Sequence, residues 1–111
     1  MAYDEDLANR IRELVSDEPH LTEKKMFGGL AFLVGGNMAV AASGQGGLMV
    51  RVGPDAGEKL IATTTAKPME MRGRTMTGWL RLDDENVRTK RQLSKWVTLG
   101  VTYAKTLPGK R

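Results

Sequence analysis

The sequence predicts a small α+β domain, an antiparallel β-meander sheet with flanking helices, as a single unit over residues 1–111. Three observations lead there. Between Lys24 and Gly53, apolar runs of strand length (Leu30–Val34, Met38–Ala42 and Leu48–Val52) are broken at Gly35-Gly36 and at Ser43–Gly47. Glycine pairs between short apolar runs signal hairpins, because tight two-residue turns need positive φ at their central positions. Both ends of the chain follow the 3.6-residue period of amphipathic helices instead. A chain of 111 residues has the length of one domain and can bury roughly 65% of its unfolded surface, so it needs no metal or disulfide to hold it together.

Residues 4–17 read as the first helix, with Leu7, Ala8, Ile11, Leu14 and Val15 on one face and Asp4, Glu5 and Asp6 at the start, where carboxylates favour the helix dipole. Pro19 is expected to end it. Leu21 to Phe27 reads as an entering strand despite poor alternation, and the meander follows at 30–34, 37–42 and 48–52. Gly53-Pro54-Asp55 opens a short helix to about Ala62, with proline at its first position and Leu60 and Ile61 as its buried side. After a loop at Thr63–Pro68 come two short strands, Met69–Arg72 and Gly78–Leu82, joined through Gly73–Thr77. The last helix starts at the capping box Thr89-Lys90-Arg91-Gln92 and puts Leu93, Trp96, Val97, Gly100, Val101, Ala104 and Leu107 on one face. Gly100 in mid-helix costs roughly 1 kcal/mol against alanine, which predicts a close backbone contact beneath it.

Composition excludes several function classes. There is no cysteine, hence no disulfide, thiolate nucleophile or cysteine-ligated zinc. One histidine, His20, lies beside Pro19 in a loop, away from any nucleophile motif, and reads as a surface residue. Asp83-Asp84-Glu85 lacks the alternate-ligand spacing of a calcium loop and reads as a solvated turn. No metal and no cofactor are expected. The glycine-rich turns contain no GxxxxGK[ST], and Gly44–Gly47 falls between two strands rather than opening a helix, so hairpin turns explain them better than a phosphate cradle. Asp4, Glu5 and Asp6 occupy the place of a basic signal-peptide region, and no apolar run approaches the roughly 20 residues of a membrane span. A cytoplasmic protein without membrane contact is the expectation.

Charge is distributed unevenly. Residues 1–23 hold seven acids against Arg10 and Arg12, a balance of −5, whereas residues 24–111 balance at +9 and have no acidic side chain after Glu85. Such a surface admits an anionic partner but does not specify one. The candidate contact residues are Arg72 and Arg74 flanking Gly73, with Lys67 and Trp79 nearby in sequence, and Arg51 inside the last meander strand. Guanidinium groups bind phosphate through two parallel hydrogen bonds, and an exposed tryptophan offers a stacking face. The competing reading is a basic turn followed by a core tryptophan. Arg51 is either a charge at the sheet rim or an inward residue paired with an acid. Most of the seven methionines read as core fillers, but Met69, Met71 and Met76 surround the 72–74 turn and would give an adaptable binding surface.

The segment Lys24-Lys25-Met26-Phe27-Gly28-Gly29, continuing into Leu30-Ala31-Phe32-Leu33 and Gly36-Asn37-Met38, resembles the N-terminal domain of the TfoX/Sxy competence-regulator family. The Arg-containing strand Leu48-Met49-Val50-Arg51-Val52 fits the same pattern. The resemblance covers most of the chain and implies a compact fold of order roughly α-β(3)-α-β(2)-α, with no established enzyme activity and no residue of agreed role to transfer. Full competence regulators of that family have a second, helical C-terminal domain, and the present sequence reads as a stand-alone N-terminal domain. Its strand Met38–Ala42 also uses small residues where family members often have larger ones.

Three functions follow as expectations. The first is a non-catalytic regulatory or interaction module with a protein partner, its nucleic-acid contacts weak and non-specific. The second is a binder of a small anionic ligand in a groove near Arg72, Arg74 and Arg51. The third is an enzyme whose only acid–base groups are carboxylates; a buried acid beside a deep pocket would favour it.

Overall fold

In the computed structural model, which describes residues 3–26, 28–71 and 73–109, three helices pack on one six-stranded antiparallel sheet. In chain order the elements are α1 (Glu5–Leu14), β1 (Leu21–Met26), β2 (Gly29–Val34), β3 (Asn37–Ala42), β4 (Leu48–Arg51), α2 (Pro54–Thr63), β5 (Lys67–Met71), β6 (Arg74–Leu82), a 3-10 turn (Asp84–Asn86) and α3 (Lys90–Thr106). The sheet order is β1-β2-β3-β4-β6-β5, so the three meander strands are sequential neighbours, as their glycine punctuation predicts. The entering strand joins them as β1 at the sheet edge. Four strands therefore precede α2, as the chain reads residue by residue and one more than the order implied by the family resemblance.

Several boundaries differ from the sequence reading, each for a local reason. α1 ends at Leu14, several residues before Pro19, where the Val15 N–H closes the last turn on the Ile11 carbonyl. β5 begins at Lys67 and β6 at Arg74, so most of the expected loop 73–77 is paired strand, Met71 lying opposite Arg74. Pro68 is tolerated because β5 is an edge strand and needs no outward donor. Ile61 does not reach the core: it is 39% exposed, and Gly57 is the one fully buried residue of α2. α2 instead lies directly on β6, where a Cβ on Gly57 would be 3.2 Å from the Gly78 Cα.

The two sheet faces have different cores. On one, Leu7, Ala8 and Ile11 of α1, Leu93, Trp96, Val97, Val101 and Ala104 of α3, and half-buried Leu60 of α2 pack against Phe32, Val40, Val50, Leu80 and Leu82. Buried apolar area contributes about 25 cal/mol per Å², and this is the main core. β3 carries a bulge that the sequence does not announce. Phe32 pairs with Val40 and Leu33 with Met38, so Ala39 is the extra residue, and both Ala39 and Val40 join the helix-side core.

The other face holds a second cluster made only of strand residues: buried Ala31, Met38, Ala41, Met49 and Met69, with half-buried Met26, Leu33, Met76 and Trp79. Among the described residues every one of the six strands contributes, and no helix does.

Outside the cores, few interactions fix the ends. Asp4 caps α1 by accepting from the N–H groups of Asp6 and Leu7, and Thr89 with Gln92 forms the expected capping box of α3. Arg12 binds Glu23 through two hydrogen bonds of 2.7 and 2.8 Å, tying α1 to the edge strand. Asn37, buried at the β2–β3 turn, donates to the Pro108 carbonyl at 2.8 Å and holds the segment after α3.

Candidate functional site

On the helix-free face the strand register aligns one row of residues across the whole sheet. Lys24 pairs with Ala31, Ala31 with Ala41, Ala41 with Met49, Met49 with Arg81, and Arg81 with Lys67. At the usual spacing of neighbouring strands the row spans roughly 24 Å. Its floor is small and apolar at Ala31 and Ala41, its flanks are Leu33, Met38 and Met76, and its two ends are cationic. Five of the seven methionines lie in this one cluster. A thioether side chain has three rotatable bonds and a polarizable sulfur, so a surface built from it adapts to different shapes.

Arg51 and Trp79 sit opposite each other one step along, at the end of β4. The local backbone puts them there. Gly53 turns the chain out of β4 with φ +89°, which brings its Cα under the Tyr103 ring, and a Cβ at that position would lie 2.6 Å from Cε1 of the ring. Gly78, at φ +86°, kinks β6 just before Trp79, and its carbonyl accepts from the N–H groups of both Val52 and Gly53. The Arg51 guanidinium consequently lies over two rings, 5.2 Å from the centroid of Trp79 and 5.6 Å from that of Tyr103. Among the described residues, the ion pairs are Arg12–Glu23, Lys67–Asp83 and Lys105–Glu18, and none includes Arg51 or Arg81. Arg51 is thus neither a free surface charge nor the partner of an acid. It is half-buried and held by aromatic faces.

Arg81 is half-buried beside Met49. Its Nη1 donates to Gln45 Oε1 at a long 3.3 Å, and its Nε is buried with no hydrogen-bond partner. Lys67, opposite it, is bound to Asp83 at 2.7 Å. That contact, with the added field of Lys67 and Arg81, holds the Asp83 carboxyl below its usual range.

The sequence-derived candidates therefore divide. Arg51 and Trp79 are brought into contact, and Lys67 shares the row through Arg81. Arg74 is exposed at the far end of β6, five residues from Trp79 and roughly 16 Å away at the strand rise. Arg72 lies outside the described residues. Arg81 and Tyr103 are members of the site that residue-by-residue reading misses. The signal for Arg81 was the alternation Trp79-Leu80-Arg81-Leu82, which puts the tryptophan and the arginine on one face once Leu80 and Leu82 are buried. Tyr103 gives no such signal, since its position over Gly53 depends on where α3 crosses the sheet.

Two clefts on the other side flank the α1–α3 seam. One, of about 410 Å³, is lined by Arg10, Glu13, Leu14, Ser16, Lys90 and Leu93; Glu13 is exposed and Arg10 donates to the carbonyls of Val87 and Arg88. The other, of about 250 Å³, includes Glu18, whose Oε2 is 2.9 Å from Lys105 Nζ in an ion pair off the hydrogen-bond line. His20 is exposed in the turn before β1. Two carboxylates of the Asp83–Glu85 turn are used internally: Asp84 Oδ1 accepts from the Gly47 N–H and Asp83 binds Lys67, while Glu85 is exposed. Among the described residues no group of three or more acidic or histidine side chains is placed to hold a metal ion, and no helix is long and apolar enough to cross a membrane.

Comparison with curated proteins finds no match. The family model for the TfoX N-terminal domain matches residues 13–104, a span from the end of α1 through nearly all of α3 that includes every strand of the sheet. The chain belongs to the TfoX N-terminal domain family.

Proposed function

We propose that this chain is a non-catalytic regulatory or interaction module whose docking surface for a protein partner is the helix-free face of the sheet. One observation carries the reading: a methionine-rich cluster drawn from all six strands, with cationic residues at both ends of its central row. Interfaces are enriched in methionine, aromatic residues and arginine, and depleted in charge at their centre. Met76, Leu33 and Trp79 at the margin of the cluster are half-buried and available to a partner. The helix side of the sheet already has its covering layer.

A comparative capture experiment tests this. Tagged protein, its Met76→Glu variant and a Thr98→Glu variant are used to isolate bound proteins from the native cell, and the recovered sets are compared. Thr98 is exposed on the outward side of α3. The account expects the Met76→Glu variant to lose partners that the parent and the Thr98→Glu variant share. The reverse pattern, or identical sets from all three, contradicts it.

A second reading, a small anionic ligand near Arg51, draws on the same guanidinium having no acidic partner among the described residues. It differs in requiring no apolar surface, and the probes named below separate the two.

A further inference from the structure

We infer that Arg51 and Arg81 form a carboxylate-recognition subsite at one end of the docking row, and that the segment bound there presents acidic and apolar side chains on one face. The inference rests on the docking reading above and names the chemistry of the partner.

The geometry argues for it in three steps. The register places Met49 opposite Arg81 and Arg51 opposite Trp79, so the two arginines are diagonal neighbours on adjacent strands, on the same face. Diagonal neighbours of this kind are roughly 7–8 Å apart at the backbone, within reach of one acidic side chain or of two that are adjacent. Next, both guanidinium groups have donors to spare. The Arg51 guanidinium lies over the Trp79 and Tyr103 rings and has no acidic partner among the described residues, so its N–H donors are left for an acceptor. Arg81 has a buried Nε without a partner and a weak 3.3 Å contact to Gln45 that a stronger acceptor displaces. An unpaired buried donor is costly, and a carboxylate that draws the half-buried guanidinium outward into two parallel bonds relieves that cost. Finally, the surroundings of the fork pair are apolar: Met49 lies opposite Arg81 and two residues from Arg51, in a cluster that also holds Met69 and Met76. A carboxylate flanked by apolar side chains matches that surface.

The same facts disfavour nucleic acid as the occupant. Trp79 already has Arg51 over its ring, which takes a face that base stacking would use. Lys67 is bound by Asp83, and Asp84 and Glu85 follow at the same end, so the cationic row stops after two arginines and does not track a phosphate backbone. A polyanion needs a longer stripe.

The test uses the intact protein and four probes: an octapeptide of two Leu-Leu-Glu-Glu repeats, which sets Glu beside Leu on each face of an extended chain, its Gln/Leu counterpart, glutarate, and inorganic phosphate. Binding is read by calorimetry and by the 15N–1H signals of the arginine Nε–H groups and the Trp79 indole. The Glu/Leu peptide is expected to bind at least about tenfold more tightly than the Gln/Leu peptide and to shift the Arg51, Arg81 and Trp79 signals. Arg51→Lys and Arg81→Lys keep the charge but lose the fork, and each should weaken the Glu/Leu peptide by about tenfold; Arg91→Lys, at an exposed position of α3, should not. Thermal melting of each variant shows whether it is folded, and two independent arginine variants guard against a purely structural effect of one. Equal binding of the two peptides, or unchanged binding in both lysine variants, overturns the carboxylate subsite while leaving the docking face intact. Tighter binding of glutarate or phosphate than of the Glu/Leu peptide overturns the peptide assignment in favour of a small anion. Failure of the Glu/Leu peptide to bind at millimolar concentration overturns the inference outright, whereas failure of the docking reading is seen separately, in the capture with Met76→Glu.

Discussion

Gly100 of α3 and Ala39 of β3 are in backbone contact: a Cβ on Gly100 would stand 2.5 Å from the Ala39 carbonyl oxygen, with Val40 Cγ1 and Val50 Cγ2 each at 2.9 Å. The close approach is possible because the β3 bulge turns both Ala39 and Val40 toward the helix. It seats α3 on the middle of the sheet and so fixes where Tyr103 meets Arg51.

Gly100→Ala should therefore destabilise the protein although alanine is the better helix former. The propensity gain is about 1 kcal/mol, and forcing a methyl group into packed backbone costs about 1–3 kcal/mol or more. The nearest atom is a carbonyl oxygen, which cannot swing aside, so the steric cost wins. Thermal melting should show a lower Tm, by several degrees. A raised Tm would mean that α3 lifts off β3 at no cost.

Much of this fold is legible in the sequence, and the remainder is illegible for definite reasons. Glycine pairs mark the meander turns because positive φ is a local requirement, and the Thr89/Gln92 capping box marks the start of α3 because its bonds are local too. Even the close contact at Gly100 can be anticipated, since a glycine costs a helix stability that packing must offset. The β3 bulge is not visible, because Asn37–Ala42 reads as a plain apolar strand whichever residue is extra. In the site, Arg51 and Trp79 are recognisable as candidates, but their pairing depends on β4 lying beside β6 rather than β5, a long-range choice. Tyr103 depends on a helix crossing, and no sequence spacing encodes that.

Acid should weaken the link between α1 and the sheet edge. The Glu23 carboxyl is held below its usual value chiefly by its hydrogen bond from Arg12, which with the charge of that arginine outweighs the opposing effect of burial. A carboxyl depressed in the folded state contributes stability that is present above its unfolded value, ordinarily 4.5, and is lost as pH falls through the lower folded value. Asp83 behaves in the same sense through Lys67. Both pairs are exposed, so the effect is small. Denaturant titrations from pH 6 to pH 2.5 should show a shallower loss of stability for Glu23→Gln than for the parent. Parallel curves would mean that the Arg12–Glu23 contact has no energetic weight in solution.

Duplex DNA should bind weakly and only at low salt. Residues 24–111 balance at +9, but α1 brings acids onto the same small domain, and basic residues on the back of α3 alternate with threonines without aromatics between them. Counterion release makes phosphate contacts strongly salt-dependent, with non-specific affinities of about 10⁻⁴–10⁻⁶ M. Titrations at low and at physiological salt should give sequence-independent binding in the first alone. Nanomolar, sequence-dependent binding at physiological salt would make the protein a DNA-binding regulator instead.

The most direct measurement of the central claim is site-specific photo-crosslinking in the native cell. A photoreactive residue is placed at Met76, at the margin of the strand-only cluster, and in a second protein at Thr98, on the outward side of α3. The account predicts discrete crosslinked adducts of higher mass from position 76 and none from position 98. Adducts from position 98 alone, or from neither position, would contradict the assignment of the helix-free face as the docking surface.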